Sequence, residues 1–250
     1  MKYCGLIPAR YDSTRLPGKP LKLINGKSMI RRVYEAVTQW SKWDDVYVTT
    51  DNEQIEDECK KHNIPVIMTD KECPDCIDRC FQAAEKLADK NKTYDRYIII
   101  QGDEPMFNFK SLDVDLSPEA VGFYTNASKE DLSNPNVVKV VINNNGKALY
   151  FSRASIPYDA AITRKTFAPI KPKKQVGIYS FTYEKLKTFN EIGPSYLEIL
   201  EGVGLLRLIE YGDTLQMRYT PFKSQDVNTE QDLLELDAFL TKKEKTNERH

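Results

Sequence analysis

The chain predicts an α/β fold: a mostly parallel, twisted sheet with helices on both faces. Three observations carry this. Short apolar runs alternate with amphipathic stretches through the N-terminal half, which is the rhythm of repeated βαβ units. The runs themselves are near-continuously apolar, as in strands buried on both faces. The length of 250 residues, 40% of them hydrophobic, suits one large core. We expect a single domain over residues 1–240, with an arm and acceptor-binding subregion at about 135–185 and a frayed, charged tail at 241–250.

The elements follow in order. Tyr3–Ile7 reads as the first buried strand. Asn25-Gly26 is a turn signal. Ile30, Val33, Tyr34 and Val37 then recur at helical spacing within Ser28–Trp40. Strands are expected at Val46–Thr50, Pro65–Thr69 and Tyr97–Gln101, and helices at Glu53–His62 and Asp75–Ala88. Met106–Glu119, with Pro118 and alternating Leu and Asp, does not read as a helix. Val137–Ile142 and Ala148–Phe151 flank Asn143-Asn144-Asn145-Gly146 and predict a hairpin. Arg164–Lys174 is basic and holds Pro169 and Pro172, as a mobile segment would. A strand at Val176–Thr182, a helix at Leu197–Tyr211, a strand at Leu215–Tyr219 and a helix at Glu230–Leu240 close the chain.

Composition excludes several classes. Thirty-six Lys and Arg balance 37 Asp and Glu for a net charge of −1, which gives no basic face for nucleic acid. No apolar run approaches the roughly 18 residues of a membrane-spanning helix. Met1-Lys2 leads straight into a strand, so no signal peptide is expected and a cytoplasmic protein is. The cysteines are Cys4, Cys59, Cys73, Cys76 and Cys80. Their odd number in such a chain argues against a disulfide framework. Cys73, Cys76 and Cys80 form C-x2-C-x3-C, but only His62 and His250 could add an imidazole. Structural or substrate-lining thiols are the simpler account.

The first strand opens into Leu6-Ile7-Pro8-Ala9-Arg10-Tyr11-Asp12-Ser13-Thr14-Arg15-Leu16-Pro17-Gly18-Lys19-Pro20-Leu21. Ligands of open α/β sheets bind at the carboxyl ends of strands. The cations Arg10, Arg15 and Lys19 and the hydroxyls of Ser13 and Thr14 suit a polyphosphate. Pro8, Pro17, Gly18 and Pro20 shape and stiffen the loop. Gln101-Gly102-Asp103-Glu104-Pro105 ends another strand. A carboxylate there, beside a glycine that permits close approach, suits a divalent metal bridging phosphates.

Here the sequence resembles a known family. The Ile7–Leu21 run, Gln101–Pro105, Asn134-Pro135-Asn136-Val137-Val138-Lys139-Val140-Val141 and Ala148-Leu149-Tyr150-Phe151-Ser152-Arg153-Ala154-Ser155-Ile156-Pro157 look like the 3-deoxy-manno-octulosonate (KDO) cytidylyltransferases. Gly177-Ile178-Tyr179 and Leu206-Arg207 before Tyr211-Gly212 do so as well, and all these blocks occur in family order. The resemblance implies a Rossmann-like nucleotidyltransferase (GT-A-like) fold with a β-rich dimerisation arm. It implies CTP as nucleotide, Mg²⁺ as cofactor, an anionic small-molecule acceptor, a homodimer, and no nucleic-acid or membrane partner. The products would be a CMP-activated sugar acid, for surface polysaccharide precursors, and pyrophosphate.

Carried over by position, Pro8, Ala9, Arg10, Ser13, Arg15, Lys19, Asp78, Arg79 and Gln101 would bind the nucleotide. Gln101, Arg153, Gln175, Tyr179 and Glu201 would bind the acceptor, Arg153 facing its carboxylate. Arg10, Lys19 and Asp103 would carry catalysis, with Asp103 on the metal. The chain also departs from the family. Its second metal carboxylate is here Asn228, though Asp226 could supply that charge instead. The family's His-x-Ser-Gly-Thr-Asp-Arg is Cys73-Pro74-Asp75-Cys76-Ile77-Asp78-Arg79. A family histidine is Gln175, and a family Glu-Gln pair is Gly204-Leu205. Three readings follow: a KDO-like acceptor, another anionic acceptor such as a phosphonate or sugar phosphate, or a non-catalytic nucleotide-binding homologue.

Overall fold

A computed structural model describes residues 1–13, 15–158, 171–222 and 226–247. The chain divides into two compact units, Met1–Lys110 with Ser224–His250, and Ser111–Lys223.

In the first unit, β1 (Tyr3–Pro8) lies between β4 (Asp45–Thr50) and β6 (Arg96–Ile100), and β5 (Val66–Met68) flanks β4. All of these neighbours are parallel. Leu6, Ile7, Val48, Ile98, Ile99 and Ile100 are fully buried, as expected for strands covered on both faces. A short hairpin, β2 (Leu23–Ile24) and β3 (Lys27–Ser28), turns at Asn25 and Gly26. Both turn residues have positive φ, 45° and 75°, the backbone a two-residue hairpin loop demands. Helices α1 (Met29–Val37), α2 (Glu53–Lys61) and α3 (Cys76–Ala88) follow the expected pattern. Asn52 accepts the Gln54 and Ile55 amides at 2.9 and 3.2 Å, and Asp75 accepts that of Ile77 at 2.8 Å. These side chains satisfy helix N–H groups that have no partner within the helix.

In the second unit, β7 (Ala120–Asn126) lies between parallel β11 (Gln216–Tyr219) and antiparallel β10 (Lys173–Phe181). The expected hairpin is present as β8 (Lys139–Ile142) and β9 (Ala148–Ser152), and β8 pairs β10 at Lys139 and Lys174. Helices α4 (Lys129–Ser133), α5 (Tyr183–Ile192), α6 (Tyr196–Glu201) and α7 (Leu206–Glu210) complete this unit. The last helix, α8 (Glu230–Asn247), belongs to the first.

Several expectations need correction. Leu197–Tyr211 is not one helix: α6 stops at Gly202, whose φ of 62° is left-handed, and α7 starts afresh. Glycine there ends a helix without a Cβ penalty. Helix α8 runs on to Asn247, into the residues expected as the tail. Lys and Glu favour helix whatever their packing. The sequence reading lacked β7, α4 and α5. Helix α5 buries only Leu186 and Phe189, too few anchors for a visible period. Between Met106 and Glu119 only a short 3-10 turn forms, at Phe109–Leu112. Of the basic stretch, 164–170 lies outside the described residues, while Lys173 and Lys174 open β10.

One buried ion pair ties α5, α6 and α7 together. Arg207, fully buried, donates from Nε and Nη2 to the two Glu198 oxygens, each at 2.7 Å. Its Nη1 donates to the Phe189 carbonyl at 3.0 Å, and the guanidinium lies 3.9 Å from the Phe189 ring centroid. Removing one partner strands a buried charge, which costs far more than removing both. Arg207→Leu is expected to lose about 3–5 kcal/mol of stability in chemical denaturation. Glu198→Gln with Arg207→Leu should recover a large part of that loss.

Candidate active site

The chain leaves β1 at Pro8, and the Ala9 amide donates to the Thr49 carbonyl at 2.9 Å, beside β4. The loop then closes on itself. The Gly18 amide donates to the Tyr11 carbonyl at 3.2 Å, and the Leu16 amide to Ser13 Oγ at 3.4 Å. Gly18 has φ 65°, and a 3-10 turn follows at Lys19–Leu21. Leu16 and Pro20 are buried, so the loop is anchored from within. Arg10 and Arg15 are exposed, whereas Lys19 turns inward. Thr14 lies outside the described residues.

Strand β6 delivers the second half of this site. A Cβ on Gly102 would stand 2.6 Å from the Pro8 carbonyl oxygen. Only glycine lets the Gln101-Gly102-Asp103 turn pass this close to the end of β1. Lys19 Nζ donates to Asp103 Oδ2 at 2.6 Å, and Asn228 Oδ1 lies 3.4 Å from the same ammonium. The Val227 amide donates to the Asp103 carbonyl at 3.1 Å, which fixes the residues before α8. Asp232 accepts the Asn228 and Thr229 amides, each at 2.8 Å. Three distant pieces of sequence therefore meet at one ammonium.

Asp103 Oδ1 is buried and has no partner. Burial raises the Asp103 pKa above the usual carboxylate value, Asp226 adds to the rise, and Lys19 opposes it. Oxygen donors of this kind suit a hard cation. Among the described residues, no group of three or more His, Cys, Asp or Glu could hold a metal. Any cation here needs the Asn228 amide or a ligand's own oxygens. The C-x2-C-x3-C cysteines are free thiols. Burial raises the pKa of Cys73 and, far more, that of Cys76 and Cys80, so they stay protonated.

Asp78 and Arg79 are both buried in the first turn of α3. Arg79 donates to Thr69 Oγ1 at 2.6 Å and pairs with Asp51 at 3.3 Å. It thus ties α3 to the carboxyl ends of β4 and β5. Asp51 was not singled out by sequence reasoning, although it directly follows β4 and so, like Asp103, lies at a strand exit.

Arg153, Gln175, Tyr179 and Glu201 all lie in the second unit. Arg153 is held by carbonyl oxygens: Nε by Glu201 at 2.9 Å, Nη1 by Pro135 at 3.1 Å, Nη2 by Gly202 at 3.2 Å. Glu201 accepts from Ser152 Oγ at 2.7 Å, the Arg153 amide at 3.0 Å and the Tyr150 hydroxyl at 3.2 Å. Sequence reasoning passed over Lys139, whose buried ammonium donates to the carbonyls of Asn134, Val137 and Arg153. Burial, and then the Arg153 charge, lower its pKa. A lone lysine inside the apolar run Val137–Ile142 was the available signal. Gly204 and Leu205 shape the turn into α7: the Gly204 carbonyl accepts the Arg207 amide at 3.0 Å, and Leu205 is buried.

A family model described as cytidylyltransferase matches residues 4–217. The 3-deoxy-manno-octulosonate cytidylyltransferase of Cytophaga hutchinsonii is 38% identical, over 92% of this chain and 94% of that protein. The mitochondrial protein of that name from Arabidopsis thaliana is 35% identical, over 94% of this chain and 82% of its own length. A solved CMP:2-keto-3-deoxy-manno-octonic acid synthetase complexed with CTP superposes with a TM-score of 0.86 at 31% identity. That match covers 97% of this chain and all of the other. A putative glucose-1-phosphate thymidylyltransferase from Bacillus anthracis, with a TM-score of 0.64 at 15% identity, shares the fold. A cation-bearing loop after β1 and a half-buried aspartate after β6, on a chain matched this completely, make it a nucleotidyltransferase that belongs to the cytidylyltransferase family.

Proposed function

We propose that the chain transfers the cytidylyl group of CTP to a KDO-like sugar acid, with Mg²⁺ as cofactor and pyrophosphate as the second product. The observation that carries this reading is the unpartnered Asp103 Oδ1, beside an ammonium that already lies against Asp103 Oδ2 and Asn228 Oδ1. That oxygen set fits a small hard cation. Asp103 would hold Mg²⁺ together with Asn228, or with Asp226 in place of Asn228. When bound, the metal supplies charge neutralisation across the phosphates and a template for their orientation.

The chain's own residues do the rest. Arg10 and Arg15 stand exposed on the anchored loop and meet the triphosphate with their charge. Pro8, Ala9 and Ser13 shape the loop, and Asp78 and Arg79 hold the start of α3 against β4 and β5. Lys19 neutralises charge that builds on the leaving pyrophosphate. Gln101 precedes the glycine that sets Asp103 and orients the reacting groups. The acceptor oxygen attacks the α-phosphorus in line, so catalysis is positioning and charge stabilisation rather than acid–base chemistry. The absence of a histidine other than His62 and His250 agrees with this.

In the second unit, the Arg153 and Lys139 charges favour an anionic acceptor, and Gln175, Tyr179 and Glu201 are its further contacts. A phosphonate or sugar phosphate acceptor is the competing reading. It is favoured by Leu205, which is buried and offers no group to read a sugar hydroxyl. A homodimer and a cytoplasmic location belong to the proposal. Exposed Tyr196, Ile199 and Leu200 on α6 support the first, and the second agrees with the absence of a helix long and apolar enough to cross a membrane among the described residues.

Pyrophosphate release tests the whole. With Mg²⁺, CTP and KDO we expect turnover, with little from UTP, ATP or GTP; turnover with a phosphonate or sugar phosphate alone overturns the acceptor assignment. Asp103→Asn should lower kcat about 10²–10³-fold and weaken Mn²⁺ binding in titration calorimetry. Undiminished turnover in that variant would refute the metal assignment.

Gly102→Ala should lower kcat on the order of 10²-fold, because its Cβ displaces Asp103. The pH profile has a definite sign. Asp103 must be ionised to hold a cation, and its pKa is raised. The acid limb of kcat/KM for CTP should therefore lie above the ordinary aspartate range. Added Mg²⁺, which competes with the proton, should move it down. Asp226→Asn should move it down as well; weakened Mn²⁺ binding in that variant would make Asp226 a ligand.

A further inference from the structure

The charge at the strand exits of the first unit is balanced without any added cation. Lys19 Nζ lies 2.6 Å from Asp103 Oδ2 and 3.4 Å from Asn228 Oδ1. The ammonium cancels the carboxylate, and the amide adds no charge. A carboxylate at residue 228, as in the family, would leave this set negative; Asn228 leaves it neutral. Asp226 acts on Asp103 through its charge, but it is exposed, where water and salt screen it.

The loop holds the ammonium in place. The Lys19 amide donates to the Leu16 carbonyl at 3.1 Å and the Leu21 amide to the Gly18 carbonyl at 2.9 Å. Leu16 and Pro20 on either side of Lys19 are buried. The Lys19 and Asp103 side chains are only 15% and 19% exposed, so their charges act at a lower dielectric than that of water. Asp103 Oδ1 is buried and has no hydrogen-bond partner. A divalent cation on that oxygen shares one carboxylate with an ammonium and meets like-charge repulsion at short range. Among the described residues no group of three or more His, Cys, Asp or Glu could hold a metal, so protein oxygens alone do not offset that repulsion. A triphosphate does, because its charge outweighs that of Lys19 and its oxygens complete the cation's shell.

We propose that Lys19 is a built-in counter-ion that keeps a divalent cation off Asp103 until a nucleoside triphosphate supplies compensating charge, so that metal and nucleotide bind as one cooperative unit. The inference rests on the metal reading of Asp103 above and adds how that site is regulated. No side chain has to move, since Lys19 can face Asp103 Oδ2 and the phosphates together. Linkage makes the effect reciprocal: metal raises nucleotide affinity by the factor by which nucleotide raises metal affinity.

The test follows free Mn²⁺ by electron paramagnetic resonance as it is titrated into the full chain without nucleotide. Lys19→Met should bind Mn²⁺ at least about 10-fold more tightly than the wild type, because it removes a like charge. Lys19→Gln keeps a donor for Asp103 Oδ2 without the charge; it should show the same gain and carries the test if Lys19→Met does not fold. Lys19→Arg keeps the charge and should bind as weakly as the wild type. The double variant Lys19→Met with Asp103→Asn should lose the gain. Asn228→Asp makes the set negative and should also bind more tightly. Equilibrium dialysis of CTP, with EDTA or with Mn²⁺, gives the coupling from the other side. The factor by which Mn²⁺ tightens CTP binding should be about 10-fold larger in the wild type than in Lys19→Met.

Equal affinity for Mn²⁺ in the wild type and the two uncharged variants overturns the proposal. So does a gain in Lys19→Arg, a gain that survives Asp103→Asn, an Asn228→Asp variant that gains nothing, or an equal coupling factor in wild type and Lys19→Met. If Mn²⁺ binds neither to the variants nor to the wild type with CTP, the metal reading of Asp103 falls, and this inference with it. A failure confined to the Lys19 comparisons overturns only the inference.

Discussion

The contact on which the rest of the first unit's chemistry depends is the passage of Gly102 against the Pro8 carbonyl. A side chain there would stand 2.6 Å from a backbone oxygen, so the ends of β6 and β1 approach only because residue 102 has none. That approach puts Asp103 within reach of Lys19, and the Val227 amide on the Asp103 carbonyl brings Asn228 to the same ammonium. The burial that results raises the Asp103 pKa and leaves one of its oxygens unpaired. This is an expensive arrangement for a folded chain with nothing bound. It is a serviceable one for a site that must receive a cation and a polyphosphate, because charges fixed in low dielectric need no reorganisation when the ligand arrives.

The second unit works by a different device. Two of its cations are held by carbonyl oxygens. Arg153 binds those of Pro135, Glu201 and Gly202, and Lys139 binds those of Asn134, Val137 and Arg153 itself. Neutral partners satisfy the donors while leaving charge to be felt by an anion. Arg207 differs: its charge is cancelled by Glu198 and it lies wholly inside. Leu206-Arg207 is one of the blocks that carries the family resemblance, yet its arginine is part of the frame that holds α5, α6 and α7.

Much of this was legible in the chain. Strands β1 and β6 were readable because strands buried on both faces are nearly all apolar. The loop after β1 was readable because three cations and several prolines crowd one strand exit. Asp103 was readable because it follows a glycine at another strand exit. What was missed had weak local signals. Helix α5 buries two residues, and β7 contains Gly122 and ends in polar residues. Residues 241–247 of the expected tail continue α8, because charged residues with high helix propensity need no core to extend an existing helix. The helix expected over Leu197–Tyr211 is broken by a glycine whose left-handed backbone only tertiary packing reveals.

The sequence by itself determined the α/β class, the placement of cations and carboxylate at strand ends, and the family. These follow from periodicity, from residue chemistry and from blocks in order. Only the tertiary structure decided which of those residues act together. Arg79 is spent on Asp51 and Thr69 inside the first unit, while Lys19 spans Asp103 and Asn228, more than two hundred residues apart in the chain for its far partner. Gln175 and Tyr179 form a pair because a bulge removes two residues from the spacing between them. Such pairings depend on backbone approach and register, which are set by the packing of distant segments and leave no mark in local sequence.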